Sequence, residues 1–166
     1  MRQAGDILEI INPLVAAYFA NKEKGLGHFA IVHGQTIGIM GATKFYFHNK
    51  KGKIGRRPNR NSNKRERYDR FPSGHTSSAW SAAAYSRIFL EENKYVAIPL
   101  YATAALTGFS RVKSKQHTRN QVLAAIVLAE GMNFINSKMQ WSNEYKYSYV
   151  RLDGDGRFIL GFNFRF

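Results

Sequence analysis

The sequence predicts a mainly α-helical fold, a helical bundle carrying a C-terminal β-hairpin. Three observations predict it. Apolar stretches of helical length alternate with polar, charged loops as far as about residue 137. The last stretch, YKYSYVRLDGDGRFILGFNFRF, instead alternates apolar and polar residues on either side of Asp-Gly-Asp-Gly, the pattern of two strands joined by a tight turn. The chain is 166 residues long, has no internal repeat, and so fits one domain able to bury most of itself in a single core.

The first helix is expected from Asp6 to about Phe19, with Asp6 and Glu9 in capping-box spacing. NKEKGLG is a turn. A second helix runs from about Leu26 to His48, with Gly34, Gly38 and Gly41 allowing close helix contacts. The following NKKGKIGRRPNRNSNKRERYDRFPSG is polar, basic and rich in turn residues, hence a loop. Further helices are expected over about Gly74–Glu91, Tyr95–Phe109 and Thr118–Ile135. The hairpin occupies 143–166, with Phe158, Leu160, Phe162, Phe164 and Phe166 on one face. That face covers the helical core or pairs a second copy of the chain through its edge, giving a homodimer.

The charge is lopsided. Twenty-five Lys and Arg stand against eleven Asp and Glu, a net charge of +14. Eleven of the basic residues lie between Lys44 and Arg70, against Glu66 and Asp69 alone. Such an excess calls for an anionic partner: nucleic acid, lipid headgroups or phosphorylated small molecules. Cysteine is absent, which excludes disulfides, thiolate metal sites and a cysteine nucleophile. The longest apolar runs are about 15 residues, short of the ~20 that a spanning helix needs. Glu9, Asn12 and Pro13 interrupt the first of them, so it does not read as a signal peptide.

Three short constellations could carry chemistry. In FPSGHTSS, Ser73 and Gly74 stand where a helix begins, and a helix N-terminus offers free N–H groups and partial positive charge to an anion. His75 follows in the first turn. In KKGKIGRRP, Lys50 and Arg57 could hold one anion from a loop. In SRVKSKQHTRNQ, Arg111 provides a fork suited to phosphate oxygens. His117 lies among Arg111, Lys113, Lys115 and Arg119, a field that favours its neutral form. Each has an ordinary reading by itself: a helix start beside a surface histidine, a solvated basic loop, and an interhelix loop with an incidental histidine.

Together and in order they resemble the type 2 phosphatidic acid phosphatase superfamily, which includes lipid phosphatases, bacterial acid phosphatases and vanadium haloperoxidases. The family motifs are K-x6-R-P, P-S-G-H and S-R-x5-H-x3-D. The chain offers Lys50 to Arg57-Pro58, Pro72 to His75, and Ser110-Arg111 to His117. The resemblance covers about residues 5–137, which become a catalytic helical core inside a single domain of 1–166. It implies a metal-independent phosphatase, without cofactor, acting on a phosphomonoester or lipid (pyro)phosphate through a phosphohistidine. His117 would be the nucleophile and His75 the proton donor. Lys50, Arg57, Ser73, Gly74 and Arg111 would hold the phosphoryl oxygens. A periplasmic or envelope-associated bacterial enzyme, soluble or peripheral, would fit, taking substrate from solution or a membrane surface.

One position departs from the pattern. Gln121 stands where the family has Asp. Four residues on, it shares a helix face with His117 and its carbonyl can fix the tautomer, but it supplies no negative charge. Glu130 would face away from His117, and nothing in the sequence supports a distant acid, such as Asp6, as the substitute. His28 and His33 read as packed residues, and His48 as a neighbour of the basic loop. Three other readings remain: a catalytically weakened binder of anionic lipid or phosphate, a vanadate-dependent haloperoxidase, and nucleic-acid binding through residues 44–70. The last explains neither Pro-Ser-Gly-His nor the spacing to His117, so no specific nucleic-acid partner is expected.

Overall fold

A computed structural model describes residues 2–50, 53–56, 58, 68–139, 149–152 and 158–161. Its α-helices are α1 Arg2–Glu23, α2 Leu26–Lys50, α3 Gly74–Phe89, α4 Ala97–Lys113 and α5 Arg119–Lys138. Short 3-10 turns occupy Lys53–Gly55 and Lys94–Val96. Strands β1, Tyr149–Leu152, and β2, Phe158–Gly161, pair antiparallel with Tyr149 opposite Gly161 and Leu152 opposite Phe158. The rest of the 143–166 segment, including Phe162, Phe164 and Phe166, lies outside the described residues.

The bundle is built round α3, which packs against all four other helices. Its sequence explains why: twelve of its sixteen residues are buried, most of them Ala or Ser, and small side chains let neighbours approach from every side. Phe29 and Val32 of α2, Ala16 and Ala20 of α1 and Leu100 of α4 close round Tyr85 and Phe89 of α3. Asn12 locks α1 in place. Its amide donates to Ala79 O at 3.3 Å and Leu100 O at 3.0 Å, and its carbonyl accepts from Thr103 Oγ1 at 2.8 Å.

Two local expectations are corrected. The first helix begins at Arg2, a turn before Asp6, so Asp6 caps nothing; its carboxylate is engaged by Arg111 and His75. Gly34, Gly38 and Gly41 make no close helix contact, since a Cβ at each would meet open space. Tight glycines lie elsewhere, among them Gly5, where a Cβ would overlap Ser110 and Arg111, and Gly108, where a Cβ would lie 3.0 Å from Val122 Cγ1.

Polarity is partly inverted. Asn12, Thr36, Ser77, Ser81, Thr107 and Asn133 are buried, while Ile10, Leu14, Leu106, Val127 and Phe134 are exposed. No described helix is long and apolar enough to cross a membrane.

Two interior histidines, together with His117 described below, make the fold acid-sensitive. His28 is held by the Tyr85 hydroxyl at 2.8 Å; burial, then the Lys24 charge, lowers its pKa to about 4. His33 stacks on Phe29 with ring centroids 5.1 Å apart, and burial lowers it to about 4 as well. In the unfolded chain both titrate near the ordinary imidazole value of ~6.5. The unfolded state therefore binds more protons between these values, and stability is lost as pH falls from about 6.5 to 4. Urea midpoints at pH 7.5, 6 and 5 should fall steadily. His33→Phe should flatten the dependence by removing one of the titrating rings, and it gives up no hydrogen bond at His33 Nδ1, which has no partner among the described residues.

Candidate active site

The site forms where three chain segments meet at the N-terminus of α3. After α4 the chain reverses, with Lys115 at φ 54°. The N–H groups of Gln116 and His117 both return to Arg111 O, at 3.0 and 3.2 Å. The turn places His117 immediately before α5. Ser73 N donates to Gln121 O at 3.0 Å, joining the start of α3 to the first turn of α5.

His117 is 4% exposed. Its Nδ1 lies 3.0 Å from Arg70 O and 3.2 Å from Gln121 Oε1. Both partners are acceptors, so Nδ1 carries the hydrogen, and in a neutral ring Nε2 keeps its lone pair. The ring is neutral: burial, followed by the charges of Arg70 and Lys44, lowers its pKa to about 4 despite the hydrogen bonds it donates to Gln121 and Arg70. The expected cause is thereby corrected. Arg111 is paired with Asp6, and Lys113, Lys115 and Arg119 are exposed; burial dominates, and the charges that matter come from other segments.

Gln121 is 2% exposed and engaged on both sides of its amide. Oε1 also accepts from Thr118 N at 3.1 Å, while Gln121 N donates to Thr118 Oγ1 at 3.2 Å. This reciprocal pair is a capping box that starts α5. Its Thr-x-x-Gln spacing was available in the sequence. Gln121 Nε2 donates to Ile54 O at 2.7 Å and Arg56 O at 3.0 Å, holding the 3-10 turn that leads into Arg57-Pro58. Gly55 brings that turn against Tyr68, whose carbonyl oxygen a Cβ would overlap, and Arg70 N closes on Gly55 O at 3.1 Å.

The start of α3 has no side-chain cap. Ser73 is fully buried, and its hydroxyl pairs with Thr76 Oγ1 at 3.0 Å without capping the helix. The first N–H groups of α3 thus lack a side-chain acceptor among the described residues. Lys44 Nζ sits 2.8 Å from the position a Cβ would take on Gly74. His75 Nε2 faces Asp6 Oδ1 at 3.0 Å and Glu9 Oε2 at 2.8 Å. Asp6 Oδ1 also accepts from Arg111 Nη1 at 2.7 Å. Burial opposes ionisation of Asp6, but the bond and charge of Arg111, then those of His75, hold its carboxyl below the usual value.

Asp6 therefore serves the His75 and Arg111 side of the site, and is not the acid for His117. Glu130 does point elsewhere, accepting from Trp80 Nε1 at 2.8 Å and Tyr101 OH at 2.7 Å. Of the sequence candidates, Ser73, Gly74, His75, Arg111, His117 and Gln121 are linked through these contacts. Lys50 is exposed at the end of α2, and no described contact joins it to them. Arg57 lies outside the described residues. Sequence reasoning missed Lys44, Arg70 and Glu9, which are ordinary charged residues until the fold brings them here.

The geometry accounts for a sequence match over most of the chain: the model of the PAP2 superfamily matches residues 28–145. The chain belongs to the PAP2 superfamily. It is also similar to a lipid A 4'-phosphatase of Helicobacter pylori strain J99, at 29% identity over 175 aligned residues, covering 99% of this chain and 85% of the relative. No solved structure matches.

Proposed function

We propose that this PAP2 protein is a metal-independent phosphatase acting on lipid phosphate through a phosphohistidine. The observation that carries the reading is His117: buried, neutral, with Nδ1–H directed at two carbonyl oxygens and Nε2 left with its lone pair. In the first step Nε2 attacks phosphorus and the bond to the leaving oxygen breaks. His75, the group facing Asp6 and Glu9, gives that oxygen a proton. In the second step water attacks phosphorus, the P–N bond breaks, and the proton from water returns to His75. The N–H groups opening α3 and the neighbouring cations stabilise the charge that grows on the equatorial oxygens, usually the largest catalytic term. A phosphate engaging Arg111 competes with Asp6 for Nη1.

The lipid assignment rests on two supports. The relative is named for a lipid phosphate. On α1, Ile7, Ile10, Ile11 and Leu14 are exposed, and at 100° per residue they form a stripe whose Ile10 edge lies about 40° from Asp6. An apolar surface beside the site suits an enzyme peripheral to the bacterial envelope that draws a headgroup from a bilayer.

The test is phosphate release in EDTA from lipid A, phosphatidic acid and p-nitrophenyl phosphate. We expect turnover in EDTA, with a lipid substrate exceeding the soluble ester by at least about tenfold in kcat/KM. Turnover abolished by EDTA would overturn metal independence, a preference for the soluble ester would overturn the lipid assignment, and no release from any of the three would overturn the phosphatase reading.

A further inference from the structure

We infer that Glu9 of α1 is the positioning residue of the proton donor His75: it holds one ring nitrogen and leaves the other to serve the leaving oxygen. The inference deepens the phosphatase reading and rests on it for the proton that His75 gives.

Helix α1 precedes the span 28–145 that the family model matches, so its carboxylates belong to none of the three motifs. Glu9 stands where an apolar or small residue would be expected. Gly5, Asn12, Ala16 and Ala20 are buried and, at 100° per residue, share one stripe of α1 about 80° wide. Glu9 falls inside that stripe, about 40° from Gly5. The backbone around it is tied down. Ser78, one turn beyond His75 on α3, donates through Oγ to Glu9 O at 3.3 Å. Asn12, one turn on, bonds Ala79 O and Leu100 O, and Gly5, one turn back, lies against Ser110 and Arg111. From this anchored position Glu9 Oε2 reaches His75 Nε2 at 2.8 Å.

Asp6 also faces Nε2, at 3.0 Å, but its loyalty is divided. The same oxygen accepts from Arg111 Nη1 at the shorter distance of 2.7 Å, and its side chain is 46% exposed against 32% for Glu9. A phosphate that engages Arg111 draws on that pair. Among the described residues Glu9 has no second ion-pair partner, and the Lys44 charge acts on it only at longer range. Glu9 is thus the carboxylate that stays with His75 when substrate binds.

The chemistry follows from which nitrogen is held. With Nε2–H donating to Glu9, Nδ1 is the nitrogen that exchanges protons, and no described group hydrogen-bonds it. In the first step Nδ1–H gives its proton to the leaving oxygen as the P–O bond breaks. In the second, Nδ1 takes a proton from water as the water oxygen bonds to phosphorus and the P–N bond breaks. The ring is an imidazolium before the first step and after the second, and a neighbouring carboxylate favours that form.

The experiment compares Glu9→Gln, Glu9→Leu and Asp6→Asn with wild type in two readouts. The first is kcat/KM in EDTA on phosphatidic acid and on p-nitrophenyl phosphate. The alkoxide of the lipid needs a proton to leave, whereas p-nitrophenolate leaves without one. Glu9→Gln should lose about 100-fold on the lipid, within the range for general acid catalysis, and less than about tenfold on the nitrophenyl ester. Glu9→Leu should lose at least as much. Asp6→Asn should change both esters by the same factor. Effects on folding or anion binding fall on both esters alike, so the ratio isolates proton transfer. The second readout is the His75 Nε2–H resonance in proton NMR, which needs no turnover. It should persist in wild type and Asp6→Asn and be lost to solvent exchange in Glu9→Leu. Equal losses on the two esters in Glu9→Gln would overturn the positioning role. A resonance kept in Glu9→Leu and lost in Asp6→Asn would give the role to Asp6 instead. A wild type that releases phosphate from neither ester would sink the phosphatase reading, while the resonance would still decide whether Glu9 holds His75.

Discussion

His117→Ala should abolish phosphate release, by about 10⁴-fold or more, the scale seen when a nucleophile is removed from a catalytic unit. The fold should survive. The ring's two hydrogen bonds go to acceptors that have other tasks: Gln121 Oε1 still caps Thr118 N, and Arg70 remains anchored through its own N–H to Gly55 O. A thermal midpoint near wild type together with lost turnover would separate chemistry from folding, and persistent turnover in the variant would remove His117 from the mechanism. The pH dependence offers a second check. His117 has its pKa lowered to about 4, so it is neutral at every pH above that, and the sign follows: reactivity should fall only as pH drops towards 4. An unperturbed imidazole would begin to lose its lone pair near 6.5. Rates must be taken as initial rates, because His28 and His33 destabilise the fold over the same interval. Long-range proton–nitrogen spectra should show the Nδ1-protonated tautomer at neutral pH. The opposite tautomer would turn the wrong nitrogen towards the substrate.

The helices were legible because their apolar periods and turn residues are local signals. Boundaries expected at Leu26, Gly74 and Thr118 fall within one residue of those of α2, α3 and α5. The motifs were legible for the same reason, being contiguous residues next to helix starts. What escaped was everything set by tertiary approach. Asp6 and Glu9 look like a capping box at the level of spacing, yet the helix already runs past them and their carboxylates reach across to His75. Lys44 is one lysine in a basic stretch, and only the approach of α2 to Gly74 brings it to the site. The neutral state of His117 was anticipated, but from cations adjacent in sequence, whereas burial has the larger effect. Burial is a property of the whole bundle and cannot be read from a twelve-residue window.

Gln121→Asp, the change that restores the family residue, should weaken this protein. The sequence presents Gln121 as a loss, an amide where a carboxylate belongs. In the fold its two ends do different work. Oε1 accepts from His117 and from Thr118 N, a role a carboxylate could share. Nε2 donates to the carbonyls of Ile54 and Arg56, and a carboxylate has no hydrogen to give either. Asp is also one methylene shorter, so it leaves both carbonyls without their donor. Two buried hydrogen bonds at about 1–3 kcal/mol each are ample to loosen the turn before Arg57-Pro58. Gln121→Glu isolates the charge from the length: it keeps the reach but sets negative oxygen against two carbonyl oxygens. Both variants should lower the thermal midpoint, by several degrees at the 2–4 °C per kcal/mol typical of chains near this size. Both should reduce kcat/KM rather than raise it, by roughly 10²-fold or more, because the loop position and the His117 orientation fail together. Glu should also raise the His117 pKa, since a carboxylate favours the imidazolium, and so protonate part of the His117 population near neutrality. The measurement is a paired thermal and kinetic profile of the two variants against wild type. Activity rising in Gln121→Asp with an unchanged midpoint would mean that Gln121 is a decayed aspartate after all. The expected joint loss would mean that the amide is a matched part of this site, exchanging the charge on the nucleophile's partner for a grip on the loop that delivers the first motif.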